Sequence, residues 1–120
     1  MTRINTGIPP VELTNKHLLA EHREIKRVPN CVSRGRYNPN NIPPKFTLGK
    51  GHVAFFYDKL LYLKNRYEQI YEECKRRNFD VQYWGDAWND IPKSLMNDYT
   101  PTDEDRNIIR QRINERLNGK

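Results

Sequence analysis

The feature that most constrains the fold is an apolar repeat in the middle of the chain. Residues at three- and four-residue steps lie on one face of an α-helix. Here they are Val53, Phe56, Leu60, Leu63, Tyr67, Ile70 and Cys74. The repeat predicts a long helix over residues 51–77 that forms the centre of the core. Its aromatic members could offer a base-stacking surface, but aromatic side chains at this spacing are far more often packed inside.

A second helix is predicted upstream, from residue 11 or 14 to residue 27. Thr14 is suited to act as its N-cap, Pro29 is expected to close the segment, and Leu18 and Ile25 would face the core. A separate face carries residues at steps of three, four and three, namely His17, Ala20, Glu24 and Arg27. That face is polar except for its alanine.

A third helix is predicted to begin after Thr102, an expected N-cap. Three acidic residues follow it, and carboxylates suit the positive end of a helix dipole. An apolar stripe of Ile109, Ile113 and Leu117 gives this helix a narrow buried face, and Gly119 follows its end.

The remaining segments are predicted to be irregular connectors. Residues 29–46 are rich in proline, glycine and asparagine, and residues 78–98 are mostly polar with a proline at position 92. Tyr83, Trp84 and Trp88 lie in the second connector, where they either cap the core or stack on bases, and capping is the preferred reading. We therefore expect an all-α fold: a compact single domain, residues 1–120, of three helices with long irregular connectors.

Composition narrows the class of protein further. A chain of 120 residues with 30% charged and 36% hydrophobic residues can bury one modest core. No apolar run approaches the ~20 residues of a membrane helix, and the first residues lack the apolar core of a signal peptide, so we expect a cytoplasmic protein without membrane contact. Cys31 and Cys74 are too few and too far apart to indicate a disulfide scaffold or a metal site.

The positive charge is concentrated in the first part of the chain. Residues 1–50 contain nine Lys or Arg and three acidic residues, a balance of +6, whereas residues 51–120 contain twelve of each sign. A local excess of this kind is typical of a surface that binds a polyanion such as DNA. A basic surface that serves only solubility is the alternative.

The first residues also offer a nucleophile. Removal of Met1 would leave the α-amine of Thr2 beside Arg3, and an α-amine has an ordinary pKa of roughly 7.7–8.0, compared with ~10.4 for lysine. Near neutral pH much of it is unprotonated and can form a Schiff base. A carboxylate is needed to handle protons and to stabilise positive charge. Glu24 is the strongest candidate, because Arg23 and Arg27 flank it on the helix nearest to the N-terminus, although a surface glutamate paired with arginine is the common alternative.

Several blocks of the chain closely resemble the pyrimidine-dimer DNA glycosylases, the phage endonuclease V type. They are residues 1–5 (MTRIN), 17–24 (HLLAEHRE), 27–28 (RV) and 46–60 (FTLGKGHVAFFYDKL). Weaker similarity continues through residues 73–77, 90–92 and 98–99. The resemblance implies a compact all-α domain of three helices in a bacterial or phage-infected cell, acting as a monomer on damaged double-stranded DNA without a metal or other cofactor.

The resemblance also implies a reaction. The α-amine of Thr2 would attack the sugar C1′ at the 5′ base of a cyclobutane pyrimidine dimer, form an imine and β-eliminate the 3′ phosphate. Glu24 would stabilise the cationic sugar and assist the proton transfers. The residues that match the family's DNA contacts are Arg3, His17, Arg23, Arg27, Arg112 and Arg116.

Some positions depart from the family pattern. His22 and Lys26 replace a tyrosine and a proline, residues 29–46 are altered, and residues 117–120 (LNGK) stand where an aromatic tail associated with damage recognition would follow. The reaction type is therefore better indicated than the substrate. Two alternatives remain open: a glycosylase/lyase for another damaged base or for abasic sites only, and a noncatalytic DNA-binding protein.

Overall fold

The computed structural model describes residues 2–38, 40, 42–49 and 51–117, the last without its side chain, and in these ranges the regular structure is helical with no strand. The α-helices are α1 (Asn15–Glu24), α2 (Arg27–Ser33), α3 (His52–Phe55), α4 (Leu60–Arg76) and α5 (Asp103–Leu117). Short 3-10 helices lie at Pro10–Glu12, Gly85–Trp88 and Lys93–Leu95. The all-α prediction is confirmed, and the three predicted helices correspond to α1, α4 and α5.

Helix α4 is the centre of the core, as its apolar repeat predicts. The repeat members within it are fully buried: Leu60, Leu63, Tyr67, Ile70 and Cys74. Helix α1 packs against α4 through its own apolar face, with Leu18 buried and Ile25 buried just after the helix ends. Burying this surface supplies most of the driving force for folding.

The prediction of one continuous helix over residues 51–77 is wrong, because the chain breaks between α3 and α4. Lys59 leaves helical geometry at φ −128° and ψ 41°, and its ammonium donates to the Phe55 carbonyl at 3.0 Å. That carbonyl lies at the end of α3, where no further helical turn is present to supply a donor. The break allows the consecutive side chains Phe55 and Phe56 both to enter the core, whereas Val53 is only partly buried.

Pro29 does not close the first helical region as expected. It is the third residue of α2 and is buried. The backbone amides of a first helical turn have no intrahelical acceptor, so a proline without an N–H is tolerated there. The first part of the predicted 29–46 connector is therefore helical. The helix predicted to end at residue 27 is divided between α1 and the start of α2. Thr14 is the N-cap of α1 as expected, because its hydroxyl accepts from the His17 amide at 3.2 Å.

Helix α5 begins as predicted. The Thr102 hydroxyl accepts from the Asp105 amide at 3.1 Å, and the Asp105 carboxylate accepts from the Thr102 amide at 3.0 Å. This reciprocal pair satisfies two backbone donors at the helix start. Ile109 is fully buried and Ile113 partly so, whereas the Leu117 side chain and Gly119 lie outside the described residues.

The aromatic residues of the second connector pack mainly inward. Trp88 is buried and lies against Tyr67, with ring centroids 5.3 Å apart, which agrees with the core-capping interpretation. Trp84 is partly buried beneath the Lys26 ammonium, 3.8 Å from its ring centroid. Tyr83 remains 43% exposed, and its hydroxyl bonds to Glu68.

Cys31 and Cys74 are free thiols. Among the described residues, no helix combines the length and the apolar character needed to cross a membrane.

Candidate active site

The N-terminal arm, residues 2–8, is held inside the molecule. Ile4 and Ile8 are buried apolar anchors, and Thr2, Asn5 and Thr6 are buried as well. An extended segment has no backbone hydrogen bonds of its own, so its buried amides need partners elsewhere in the fold. Side chains from α1 and α3 supply them.

Three consecutive amides of the arm donate to three different side chains. The Arg3 amide bonds to Glu24 Oε1 at 3.1 Å, the Ile4 amide to His52 Nε2 at 2.9 Å, and the Asn5 amide to Glu21 Oε1 at 3.3 Å. Each acceptor belongs to a helix that packs in the core, so the path of residues 3–5 is fixed from both sides. The backbone of Thr2 is consequently one residue from the Glu24 carboxylate.

Glu24 lies at the edge of this arrangement, where solvent reaches part of its side chain. Its side chain is 14% exposed, and Oε2 lies 3.6 Å from Arg23 Nη2. Glu21, three residues earlier on the same face of α1, is instead completely buried. The two carboxylates therefore have different environments: Glu24 is partly exposed to solvent, and Glu21 is enclosed in the core.

Arg66 of α4 neutralises the buried Glu21. Its Nε and Nη2 donate to the two carboxylate oxygens at 2.5 and 3.1 Å, and its Nη1 donates to the Ile8 carbonyl at 2.9 Å. Burial acts to lower the pKa of Arg66, but the charge and hydrogen bonds of Glu21 outweigh it and raise the pKa. This two-point contact joins the arm, α1 and α4.

Arg112 of α5 brings another chain segment to the arm. Its Nη2 donates to the Asn5 side-chain oxygen at 3.1 Å. Burial lowers the pKa of Arg112 to about 10, and the positive charges of Arg3 and Arg116 act in the same direction, against the carboxylates of α1. Arg3 and Arg116 therefore lie near enough to Arg112 for their positive charges to act on it, and we treat these three arginines as one cluster.

His17 belongs to the same cluster. Burial lowers the pKa of its imidazole, and nearby Arg112, Lys16, Arg116 and Arg3 lower it further. The ring is therefore neutral near pH 7, and its Nδ1 lies 3.1 Å from the Thr14 hydroxyl. The sequence grouped His17 with Glu24 by helical spacing, and the structure brings both of them to the arm.

Two of the predicted binding residues lie further out. Arg23 is 62% exposed, and its Nη2 lies 3.6 Å from Glu24 Oε2. Arg27 is exposed at the start of α2, where its charge, with that of Arg23, adds to burial in lowering the pKa of Lys26. These three cations extend the positive surface away from the arm along α1 and α2.

The structure places several of the predicted site residues beside the arm, and it adds four supporting residues that the sequence analysis missed. They are Asn5, Glu21, His52 and Arg66. The spacing of Glu21 and Glu24 was a usable signal, because residues three apart share a helix face. His52 and Arg66 reach the arm through contacts 48 and 58 residues apart in sequence, which helical periodicity does not reveal.

Across the ranges that the structure describes, no group of three or more His, Cys, Asp and Glu side chains is placed to hold a metal ion. The carboxylates beside the arm are instead engaged by backbone amides and guanidinium groups.

The domain is all-α, and it combines a buried N-terminal arm with a partly exposed carboxylate and a cluster of guanidinium groups. These features suit an enzyme that acts on DNA. Sequence comparison gives the class as DNA glycosylase. The family model for pyrimidine dimer DNA glycosylase matches residues 1–83. The chain belongs to this family. The matched range includes the arm and all of α1, α2, α3 and α4, whereas α5 with Arg112 and Arg116 lies beyond it.

The buried ion pair predicts that Glu21→Gln changes the free energy of unfolding in opposite directions in the wild type and in the Arg66→Met variant. Arg66→Met leaves the Glu21 charge buried without its partner and should lower the free energy of unfolding by about 3–5 kcal/mol. Glu21→Gln should destabilise the wild type but stabilise the Arg66→Met variant, because there it removes the unpaired charge. Urea unfolding of the four proteins measures both effects.

Arg76→Met is the matched control for that cycle. Arg76 pairs with Glu73 at 2.5 Å, but its own side chain is 62% exposed, so its loss should change stability by less than about 1 kcal/mol. A Glu21→Gln effect of the same sign in both backgrounds would mean that Arg66 does not neutralise Glu21.

Proposed function

We propose that this protein is a DNA repair glycosylase with AP lyase activity that excises the 5′ base of a cyclobutane pyrimidine dimer and then nicks the strand. Removal of Met1 would provide the α-amine of Thr2 as the nucleophile, and Glu24 would be its catalytic carboxylate. The partner is double-stranded DNA with damaged bases. The protein would act as a single-domain monomer in the cytoplasm of a bacterial or phage-infected cell, without a cofactor.

One observation supports this assignment above the others: the 3.1 Å hydrogen bond from the Arg3 amide to Glu24 Oε1. It keeps the residue next to Thr2 against the carboxylate before any substrate arrives. Because the arm is already ordered by buried partners, less conformational freedom is lost when the amine meets the sugar. Holding reacting groups in place in this way can account for a large part of a rate enhancement.

The proposed steps use only the amine, the carboxylate and the sugar. The amine nitrogen forms a bond to C1′ while the glycosidic bond breaks and the base leaves with the bonding electrons and gains a proton. Loss of a proton from nitrogen and opening of the sugar ring give an imine. Removal of a proton from C2′ then expels the 3′ phosphate. Glu24 accepts and returns these protons and stabilises the cationic sugar electrostatically.

The gathered cations are suited to bind the phosphates on either side of the lesion. Arg3, Arg112 and Arg116 would neutralise phosphates closest to the arm, and Arg23 and Arg27 those further along α1 and α2. His17, neutral at pH 7, would contribute a hydrogen bond to the backbone instead of a charge. Cations close to Thr2 also favour the unprotonated, nucleophilic form of its amine.

Substrate choice separates this proposal from its alternatives. Nicking of irradiated duplex supports the dimer substrate, whereas nicking of abasic duplex alone would support a lyase, or a glycosylase for another base. Binding of duplex without nicking of either substrate would favour a noncatalytic DNA-binding protein. The comparison requires protein with a free Thr2 amine, which N-terminal sequencing verifies.

Glu24→Gln should separate catalysis from binding. Glutamine keeps an oxygen that can accept from the Arg3 amide, so the arm stays in place while the charge is lost. We expect single-turnover nicking to fall by about 10²-fold or more, with little change in affinity for an unreactive duplex measured by fluorescence anisotropy. Glu72→Gln, an exposed position on α4, removes the same charge elsewhere and should leave both values unchanged. Equal losses of nicking and binding in Glu24→Gln would argue against a catalytic carboxylate.

Arg116→Gln tests the phosphate-binding surface. Replacing one phosphate-binding cation should weaken duplex binding and make the slope of log K against log salt concentration less negative by about 1. Arg110→Gln is the control on the same helix, because Arg110 lies 3.3 Å from the Glu12 carboxylate. If the two variants give the same slope, the gathered cations do not form the DNA-binding surface.

A further inference from the structure

We propose that His52 is a positioning residue for this reaction: its neutral imidazole holds the N-terminal arm in register with Glu24, and protonation of the ring releases the arm and stops catalysis at acidic pH. The inference rests on the proposed role of the Thr2 amine. It adds a residue that touches neither sugar nor base, and a pH dependence separate from that of the amine itself.

The two hydrogen bonds of His52 determine its protonation state. Nε2 lies 2.9 Å from the Ile4 amide nitrogen, and Nδ1 lies 2.9 Å from the Thr47 carbonyl oxygen. An amide can only donate and a carbonyl can only accept. Both contacts are therefore satisfied only by the neutral ring with its proton on Nδ1. A second proton, on Nε2, would point at the N–H of Ile4 and break the contact that fixes the arm.

The surroundings hold the imidazole rigidly. His52 is only 3% exposed, with the rings of Phe46 and Phe56 edge-on at centroid distances of 5.4 and 5.6 Å. Gly51 precedes it at φ +93°, a conformation that side chains other than glycine rarely adopt. The start of α3 and the Thr47 carbonyl thus form a fixed support on one side of the ring, and the arm lies on the other.

The charges around His52 favour its neutral form. Burial is the main cause of its lowered pKa; Arg112 of α5 and Arg3 of the arm act in the same direction, while the Thr47 carbonyl and Glu21 of α1 oppose them. Arg66 of α4 neutralises Glu21 at 2.5 Å and so limits that opposition. The ring is consequently neutral at pH 7, and protonation sets in only below its ordinary pKa of ~6.5.

The position of His52 explains why its loss would affect the rate. Ile4 is two residues from Thr2, between the amides that bond to Glu24 and Glu21. If the central contact is lost, the arm can slide or rotate, and a displacement of about 1 Å at the reacting amine can lower a rate by ~10²-fold. DNA affinity should change little, because four of the five phosphate-binding arginines lie on α1, α2 and α5 and not on the arm: Arg23, Arg27, Arg112 and Arg116.

Three variants distinguish positioning from a general structural role. His52→Gln reaches the Ile4 amide with a side-chain oxygen that does not titrate; His52→Asn is too short to reach it; His52→Phe fills the space without an acceptor. Single-turnover nicking of abasic duplex and duplex affinity are measured for each from pH 5 to pH 9, below the unfolding temperature of every variant. The wild type with a free Thr2 amine is run in parallel.

We expect the Asn and Phe variants to lose about 10²-fold in nicking rate with unchanged affinity, and the Gln variant to recover most of the rate. Besides Glu24, two groups must be unprotonated in the wild type, namely the Thr2 amine and His52. The slope of log rate against pH should therefore rise towards 2 as the pH falls through the lowered pKa of His52, whereas the Gln variant should keep a slope of 1 from the amine alone. Equal rates in Gln, Asn and Phe, or a second acid-side step retained in Gln, would overturn the role of His52. An inactive wild type would instead overturn the proposed function.

Discussion

The ion pair between Glu21 and Arg66 is the interaction on which the rest of the site depends. It is the point where the arm, α1 and α4 meet, because Glu21 also accepts from the backbone and side chain of Asn5 and Arg66 also donates to the Ile8 carbonyl. A lone carboxylate at this depth would be strongly unfavourable, and the paired one is tolerated because its oxygens are fully bonded. From this anchor the arm runs back to Ile4 and Arg3, whose amides bond to His52 and Glu24.

The site contains neutralised charges in its interior and unneutralised positive charges nearer the surface. The two would conflict if they lay at the same depth. In the interior, Glu21 and Arg66 neutralise each other and His52 is neutral, so the arm is held without a net buried charge. At the edge of the site, Glu24 is partly exposed and lies near Arg112, whose pKa is lowered by burial and lowered further by repulsion from Arg3 and Arg116. A polyanionic strand would relieve that repulsion, and the same cations would favour the neutral form of an amine. Stability therefore requires the interior residues to carry no net charge, whereas the proposed catalysis requires charged residues beside them at the surface.

The sequence predicted the structural features that depend on residues close to one another in the chain. The apolar repeat identified α4, and Thr14 and Thr102 identified the starts of α1 and α5, since capping and helical spacing are properties of neighbouring residues. The break at Lys59 and the helix that contains Pro29 were missed, because each depends on contacts that form only after the chain packs. The same distinction holds for the site: Glu24 and His17 could be selected from spacing and charge, whereas His52 and Arg66 act on the arm across about half the chain. The roles of Thr2 and Glu24 remain predictions.

The most direct test of the account is to identify the atom that becomes attached to DNA. Protein with a free Thr2 amine is mixed with abasic and, separately, irradiated duplex, borohydride is added to reduce any imine, and the adduct is digested and mapped by mass spectrometry. The account predicts that the adduct lies on the N-terminal peptide, at Thr2, and that an extra residue before Thr2 abolishes it. An adduct on a lysine side chain, or strand cleavage without an adduct, would contradict the claim that the buried arm presents the nucleophile to Glu24.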